Sequence, residues 1–109
     1  MPWIDTHCHL DAAEFDADRD VERQKAQSLG VGVCVIPAVM AAHFEEVRLL
    51  AHRHQDVYAL GVHPLFTPQA NEADLATLDA QLLAQQDDPR LVAVGEIGLD
   101  GFVPAINTP

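Results

Sequence analysis

Val31-Gly32-Val33-Cys34-Val35-Ile36 is apolar at every position. A strand with one face in water alternates, so an unbroken run rich in β-branched residues reads as a strand covered on both faces, the habit of parallel sheets. Val57-Tyr58-Ala59-Leu60-Gly61-Val62 and Leu91-Val92-Ala93-Val94-Gly95 share this character, and residues 2–8 form a fourth, apolar candidate strand. Between these runs the spacing turns helical. One segment covers 18–29 and ends at Gly30, a natural C-cap; a second covers 41–54 with Phe44, Val47 and Ala51 on one side. A third follows Asn71 and sets Leu75, Leu78 and Leu82 on one stripe. Asn71 suits an N-cap, with Glu72 and Asp74 favourable in the first turn. The order βαβαβαβ, with strand starts about 28, 26 and 34 residues apart, predicts an α/β fold of parallel β/α units joined by right-handed crossovers. Strand order does not follow from the pattern, so a doubly wound sheet and part of a (β/α)8 barrel both stay open at this point.

The chain has 109 residues, which predicts one domain over 1–109 with one core. Apolar residues make up 49% and charged residues 21%, a globular balance, and no apolar run reaches the roughly 18 residues of a membrane span. Met1-Pro2-Trp3-Ile4-Asp5 lacks the basic and apolar regions of a secretory leader, so a cytoplasmic location is the expectation. Cys8 and Cys34 fit no paired-cysteine motif and imply neither a disulfide framework nor a zinc knuckle. Seventeen acids against six bases give a net charge of -11, a surface that repels a phosphate backbone. A nucleic-acid substrate would therefore be held by metal ions and a few local contacts.

At the carboxyl end an irregular stretch, 101–107, leads to Thr108-Pro109, a natural N-cap and N1 pair. The chain reads as stopping where a fourth helix begins; the alternative is an unstructured proline-containing tail.

Reactive groups of parallel α/β folds sit at the carboxyl ends of strands. His7 and His9 close the first strand, His63 the third in Gly61-Val62-His63-Pro64, and Glu96 the fourth. Two imidazoles at i and i+2 of a strand share a face, so His7 and His9 can reach one cation, and Glu96 amid apolar neighbours is costly to bury without one. The alternatives are an accidental histidine spacing and a Glu96 that caps a backbone amide. Imidazoles with a carboxylate suit zinc, manganese, cobalt or, less well, magnesium, and the two oxygens of Glu96 could bridge a pair of ions. His63, held extended before Pro64, would project toward substrate or water, although a turn histidine without a role fits the tetrapeptide equally. Asp5 shares the face of His7 and His9 but lies deeper, as a supporting acceptor. Asp11 and Asp100 are loop candidates for orientation or capping. His43, His52 and His54 read as a solvated helix face, and Cys8, opposite to the two histidines, as packing against a covering helix.

Asp5-Thr6-His7-Cys8-His9-Leu10-Asp11, Gly61-Val62-His63-Pro64 and Gly95-Glu96-Ile97-Gly98-Leu99-Asp100, in that order, resemble the amino-terminal part of the TatD family of metal-dependent deoxyribonucleases. The opening His-x-His alone also resembles amidohydrolases and polymerase-and-histidinol-phosphatase domains. The resemblance implies the first half of a TIM-type (β/α)8 barrel, with β/α units one to four and a divalent-metal site at its carboxyl face. It implies two ions (zinc, manganese or magnesium) per complete site and cleavage of phosphodiester bonds in DNA by metal-activated water. Carried over by position, His7, His9 and Glu96 are metal ligands, Glu96 and His63 are catalytic, and His63 also contacts substrate. Family members are more than twice as long, and their later strands add two histidines and an aspartate. The isolated chain is accordingly expected to bind metal weakly, to be inactive alone, and to associate with its missing half or with itself through open strand edges. The competing readings are a metal-dependent amidohydrolase or phosphoesterase on a small substrate and an inert half-barrel.

Overall fold

The computed structural model describes residues 2–103. Four strands, β1 (Trp3–Asp5), β2 (Val31–Pro37), β3 (Val57–Leu60) and β4 (Leu91–Val94), alternate with α1 (Arg19–Ser28), α2 (Phe44–His54) and α3 (Glu72–Ala84). Short 3-10 turns at Ala13–Phe15, Ala41–His43 and Pro64–Gln69 lie in the loops that follow β1, β2 and β3. The sheet has the sequential order β1-β2-β3-β4 and every pairing is parallel. A doubly wound sheet reverses its strand order at a switch point. This sheet does not, and all its strand ends on one side open onto the same mouth.

The helices start and stop where local chemistry directs them. Gly30, with φ 105°, turns the chain after α1. At α3, Asn71 Oδ1 accepts from the Asp74 N–H and Asp74 Oδ2 accepts from the Asn71 N–H, each at 3.0 Å, closing a capping box. α2 ends without a glycine: Gln55 takes the left-handed conformation at φ 58°.

The core lies between α2 and strands β2 and β3, where Ile36, Phe44, Val47, Leu50, Tyr58 and Leu60 are buried. Beneath it runs a buried ion pair. The Arg23 guanidinium of α1 donates to both carboxylate oxygens of Asp56 at 2.7 Å and to the carbonyls of Val31 and Gly32 at 3.2 Å. Asp56 Oδ1 also accepts from the Cys34 N–H at 2.9 Å. One carboxylate thus ties α1, β2 and the start of β3 together.

Three expectations need correction. Residues 6–8 are not strand, because Asp5 Oδ1 accepts the His7 N–H at 3.1 Å and bends the chain out of the sheet. The α3 stripe is incompletely seated: Leu78 and Leu82 pack on the core, while Leu75 is 59% exposed. His52 and His54 do not simply face solvent, since they contact Asp88 and Asp20, each at 2.7 Å, and the His54 side chain is only 10% exposed. The edge strands β1 and β4 leave Trp3, Ile4, Val92 and Val94 more than half exposed. The expected helix start at Thr108-Pro109 lies outside the described residues.

Candidate functional site

His7, His9, His63 and Glu96, which the sequence singled out, meet at the mouth. Each lies just past a strand rather than on it, since β1, β3 and β4 end at Asp5, Leu60 and Val94. The pleat therefore does not bring the two imidazoles together; the bend held by Asp5 does. His7 Nε2 and His9 Nε2 are 3.1 Å apart, with the rings edge to face. Glu96 Oε1 touches His7 Nε2 and lies 3.5 Å from His9 Nε2, and Glu96 Oε2 lies 3.2 Å from His63 Nε2.

Glu96 depends on Gly61. The Gly95-Glu96 backbone crosses the end of β3 so closely that a Cβ at position 61 would meet Glu96 O and Gly95 C at 2.7 Å. Only glycine leaves room for this crossing. The Gly95 N–H also donates to the Leu60 carbonyl at 2.9 Å, which fixes the turn that follows β4.

The donor set fits a divalent cation. The ligand atoms of His7, His9 and Glu96 lie within 4.8 Å of one another. Two ring nitrogens and a carboxylate oxygen so close bring together more lone pairs than a proton on one of them can satisfy. Glu96 Oε2 is buried and accepts no hydrogen bond, being near His63 but not aligned with it. A cation relieves the cost of both arrangements.

His63 differs from the other two. Its Nδ1 accepts the Leu65 N–H at 3.0 Å, so the neutral ring carries its proton on Nε2. That Nε2 lies 3.2 Å from Glu96 Oε2 without a hydrogen bond to it, so its proton is left to donate elsewhere.

Asp5 is the supporting acceptor that the sequence suggested. Asp100 caps its loop by accepting from the Phe102 and Val103 N–H groups at 2.6 and 3.3 Å. Asp11 is more than a loop residue: burial pushes its carboxyl above the ordinary range, and its Oδ1 is buried with no hydrogen-bond partner. Arg19 went unnoticed. It donates to the carbonyls of Leu10, Asp11 and Ala12 at 2.7, 3.1 and 2.9 Å, and to Asp16 Oδ1 at 2.7 Å, fixing the loop after His9. An arginine opening a helix carries no sequence signal for this role. His43, expected on a solvated helix face, lines a cavity of about 620 Å³ together with His9, Asp11, His63, Phe66 and Glu96. Cys8 packs against the core beside Cys34 of β2, and burial pushes the Cys34 thiol up to about 12. With Asp5 they form a second group of donor atoms within 4.8 Å, but thiols so hard to ionise make it a poor site for a cation.

The family model for TatD related DNase matches residues 4–108. The chain belongs to the TatD family. It is 41% identical over 101 residues to the uncharacterized metal-dependent hydrolase YjjV of Escherichia coli, covering 92% of this chain and 38% of that protein. It is 36% identical over 103 residues to human deoxyribonuclease TATDN3, covering 89% of this chain and 38% of that one. The crystal structure of the Escherichia coli TatD homologue YjjV superposes with a TM-score of 0.85 at 39% identity, over 94% of this chain and 39% of that one. This chain thus spans about two fifths of the length of these relatives. The match settles the fold class: the three parallel β/α units and fourth strand of the described residues are those of a TIM-type (β/α)8 hydrolase barrel. No helix among the described residues is long and apolar enough to cross a membrane.

Proposed function

We propose that this chain carries part of the active site of a divalent-metal-dependent hydrolase that cleaves phosphodiester bonds in DNA. The carrying observation is the convergence of His7, His9 and Glu96 above a buried carboxylate oxygen that accepts no hydrogen bond. His7, His9 and Glu96 are the metal ligands. Glu96, with two oxygens, serves a pair of ions drawn from zinc, manganese or magnesium. Such ions supply Lewis acidity toward a phosphoryl oxygen and toward water.

The remaining steps belong to the chain's own groups. His63 Nε2–H donates to a non-bridging phosphate oxygen, where charge develops as the bond breaks. Asp5 holds the His7 N–H, and Arg19 holds the backbone beyond His9, so the ligands are oriented before anything binds. The net charge of -11 disfavours a long phosphate track, so DNA is held at the mouth and weakly.

The same reading takes residues 1–109 as one unit of an incomplete barrel, four of eight β/α units, with β1 and β4 as seams for the remaining half or for another copy. It places the protein in the cytoplasm, in keeping with two free cysteines.

The test fuses the chain to the complementary β/α units of YjjV and assays DNA, a phosphomonoester, a lactone and an amide with zinc, manganese or magnesium. Metal-dependent cleavage of DNA, lost in His7→Ala and Glu96→Ala, supports the reading. Turnover of the small substrates alone supports the amidohydrolase or phosphoesterase alternative.

A further inference from the structure

We propose that the cavity beside the histidine cluster is a nucleobase pocket in which Asp11 accepts a hydrogen bond from the exocyclic amino group of a base flanking the scissile phosphate. The proposal deepens the nuclease reading and rests on it. Among the described residues two buried side-chain oxygens accept no hydrogen bond, Asp11 Oδ1 and Glu96 Oε2, and both residues line this one cavity. The cation accounts for Glu96. Asp11 is not one of the residues whose ligand atoms cluster with it, so its oxygen calls for a different donor.

The walls say what kind of donor. Val39, Leu65 and Phe66 give the cavity an apolar side, and Phe66 stands edge-on to His63 with ring centroids 6.1 Å apart. An aromatic face beside a phosphate-binding histidine is a stacking platform for a base. About 620 Å³ is ample for a mononucleotide. Glu14, Asp16 and Glu46, which also line the cavity, repel phosphate, so the phosphate stays near His63 and the uncharged base enters. Adenine, cytosine and guanine then present an exocyclic amino group to Asp11, whereas thymine has none and its one donor, N3–H, is flanked by two carbonyl oxygens that a carboxylate repels.

The experiment is an amide NMR titration of the 109-residue chain with dAMP, dCMP, dGMP and dTMP, with inorganic phosphate as the control. The expected result is shifts at Val39, Phe66 and Asp11, with dTMP bound about three- to tenfold more weakly than the others, the range of one hydrogen bond. Asp11→Asn, whose amide also donates, should abolish the preference or turn it toward dTMP. Phe66→Ala should weaken all four by a similar factor of roughly ten. Equal affinity for all four, a preference unchanged in Asp11→Asn, shifts confined to other residues, or no nucleotide binding would each overturn the proposal. Base-free bis(p-nitrophenyl) phosphate separates the two ideas: its cleavage by the completed barrel, when the four nucleotides show no base preference, removes the pocket and leaves the phosphodiesterase reading standing. If neither DNA nor that ester is cleaved, the nuclease reading itself falls.

Discussion

The carbonyl oxygen of Glu96 lies 2.7 Å from the place a Cβ on Gly61 would occupy, and the Gly95 carbonyl carbon lies as close. Backbone cannot yield as a flexible side chain does, so Gly61→Ala must push the Gly95-Glu96 turn off the end of β3. Stability should fall by about 1–3 kcal/mol, the usual cost of overpacking. Metal affinity should fall at least tenfold as Glu96 leaves the histidines. Calorimetric titration with manganese beside a thermal melt checks both; an affinity equal to wild type would contradict this placement of Glu96.

His63 is a donor with Nδ1 already engaged by the Leu65 N–H. In the completed barrel, His63→Ala should lower the cleavage rate by about 10²- to 10³-fold, the range for removing one hydrogen-bond donor to developing charge. Bound metal, measured by elemental analysis, should stay at the wild-type ratio. A proportional loss of metal would instead make His63 a ligand.

The Arg23 and Asp56 side chains are 2% and 0% exposed. Asp56→Ala leaves a buried guanidinium and the Cys34 N–H without their acceptor, so it should cost about 3–5 kcal/mol in urea denaturation. The double variant Arg23→Met with Asp56→Leu should recover much of that loss. It should not reach wild type, because the Cys34 N–H and the Val31 and Gly32 carbonyls stay unpaired. Recovery beyond wild type would show that these backbone contacts are immaterial.

Much of the architecture was legible because its signals are local. Unbroken apolar runs marked β2 and β3, and Gly30 and the Asn71-Asp74 capping box marked helix ends with chemistry contained in a few residues. The residues that meet at the mouth, the candidate site, were legible for the same reason, as polar groups just after apolar runs. Their route to one another was not. The bend at Thr6 depends on Asp5 folding back on His7, and Glu96 reaches the mouth by a crossing that only the spatial neighbour Gly61 permits. Pairs distant in sequence were equally hidden: Arg23 with Asp56, His52 with Asp88, and Arg19 with the carbonyls after His9. The end of α2 falls at His54, where the expected segment also ends, although Gln55 takes there a conformation usually given to glycine.

Asp88 links stability to acid. Burial raises its pKa, but the His52 ring, the Tyr58 hydroxyl and the Arg90 N–H outweigh that and hold it at about 2, below the ordinary carboxylate value of 3.8. A group whose pKa is depressed by folding binds fewer protons folded than unfolded, so its contribution is present above the unfolded value and is lost as pH falls through the folded one. Between about pH 4 and pH 2 the wild type should therefore lose stability more steeply than Asp88→Asn. Urea midpoints across that window check the sign; parallel slopes would contradict it.

The central claim is that His7, His9 and Glu96 bind one cation site together. Isothermal titration of the purified chain with zinc and with manganese, repeated on His7→Ala, His9→Ala and Glu96→Gln with folding followed by circular dichroism, tests it most directly. The account predicts saturable binding in the wild type and at least tenfold weaker binding in each variant, with helical content unchanged. Binding that survives all three substitutions at wild-type affinity would contradict it.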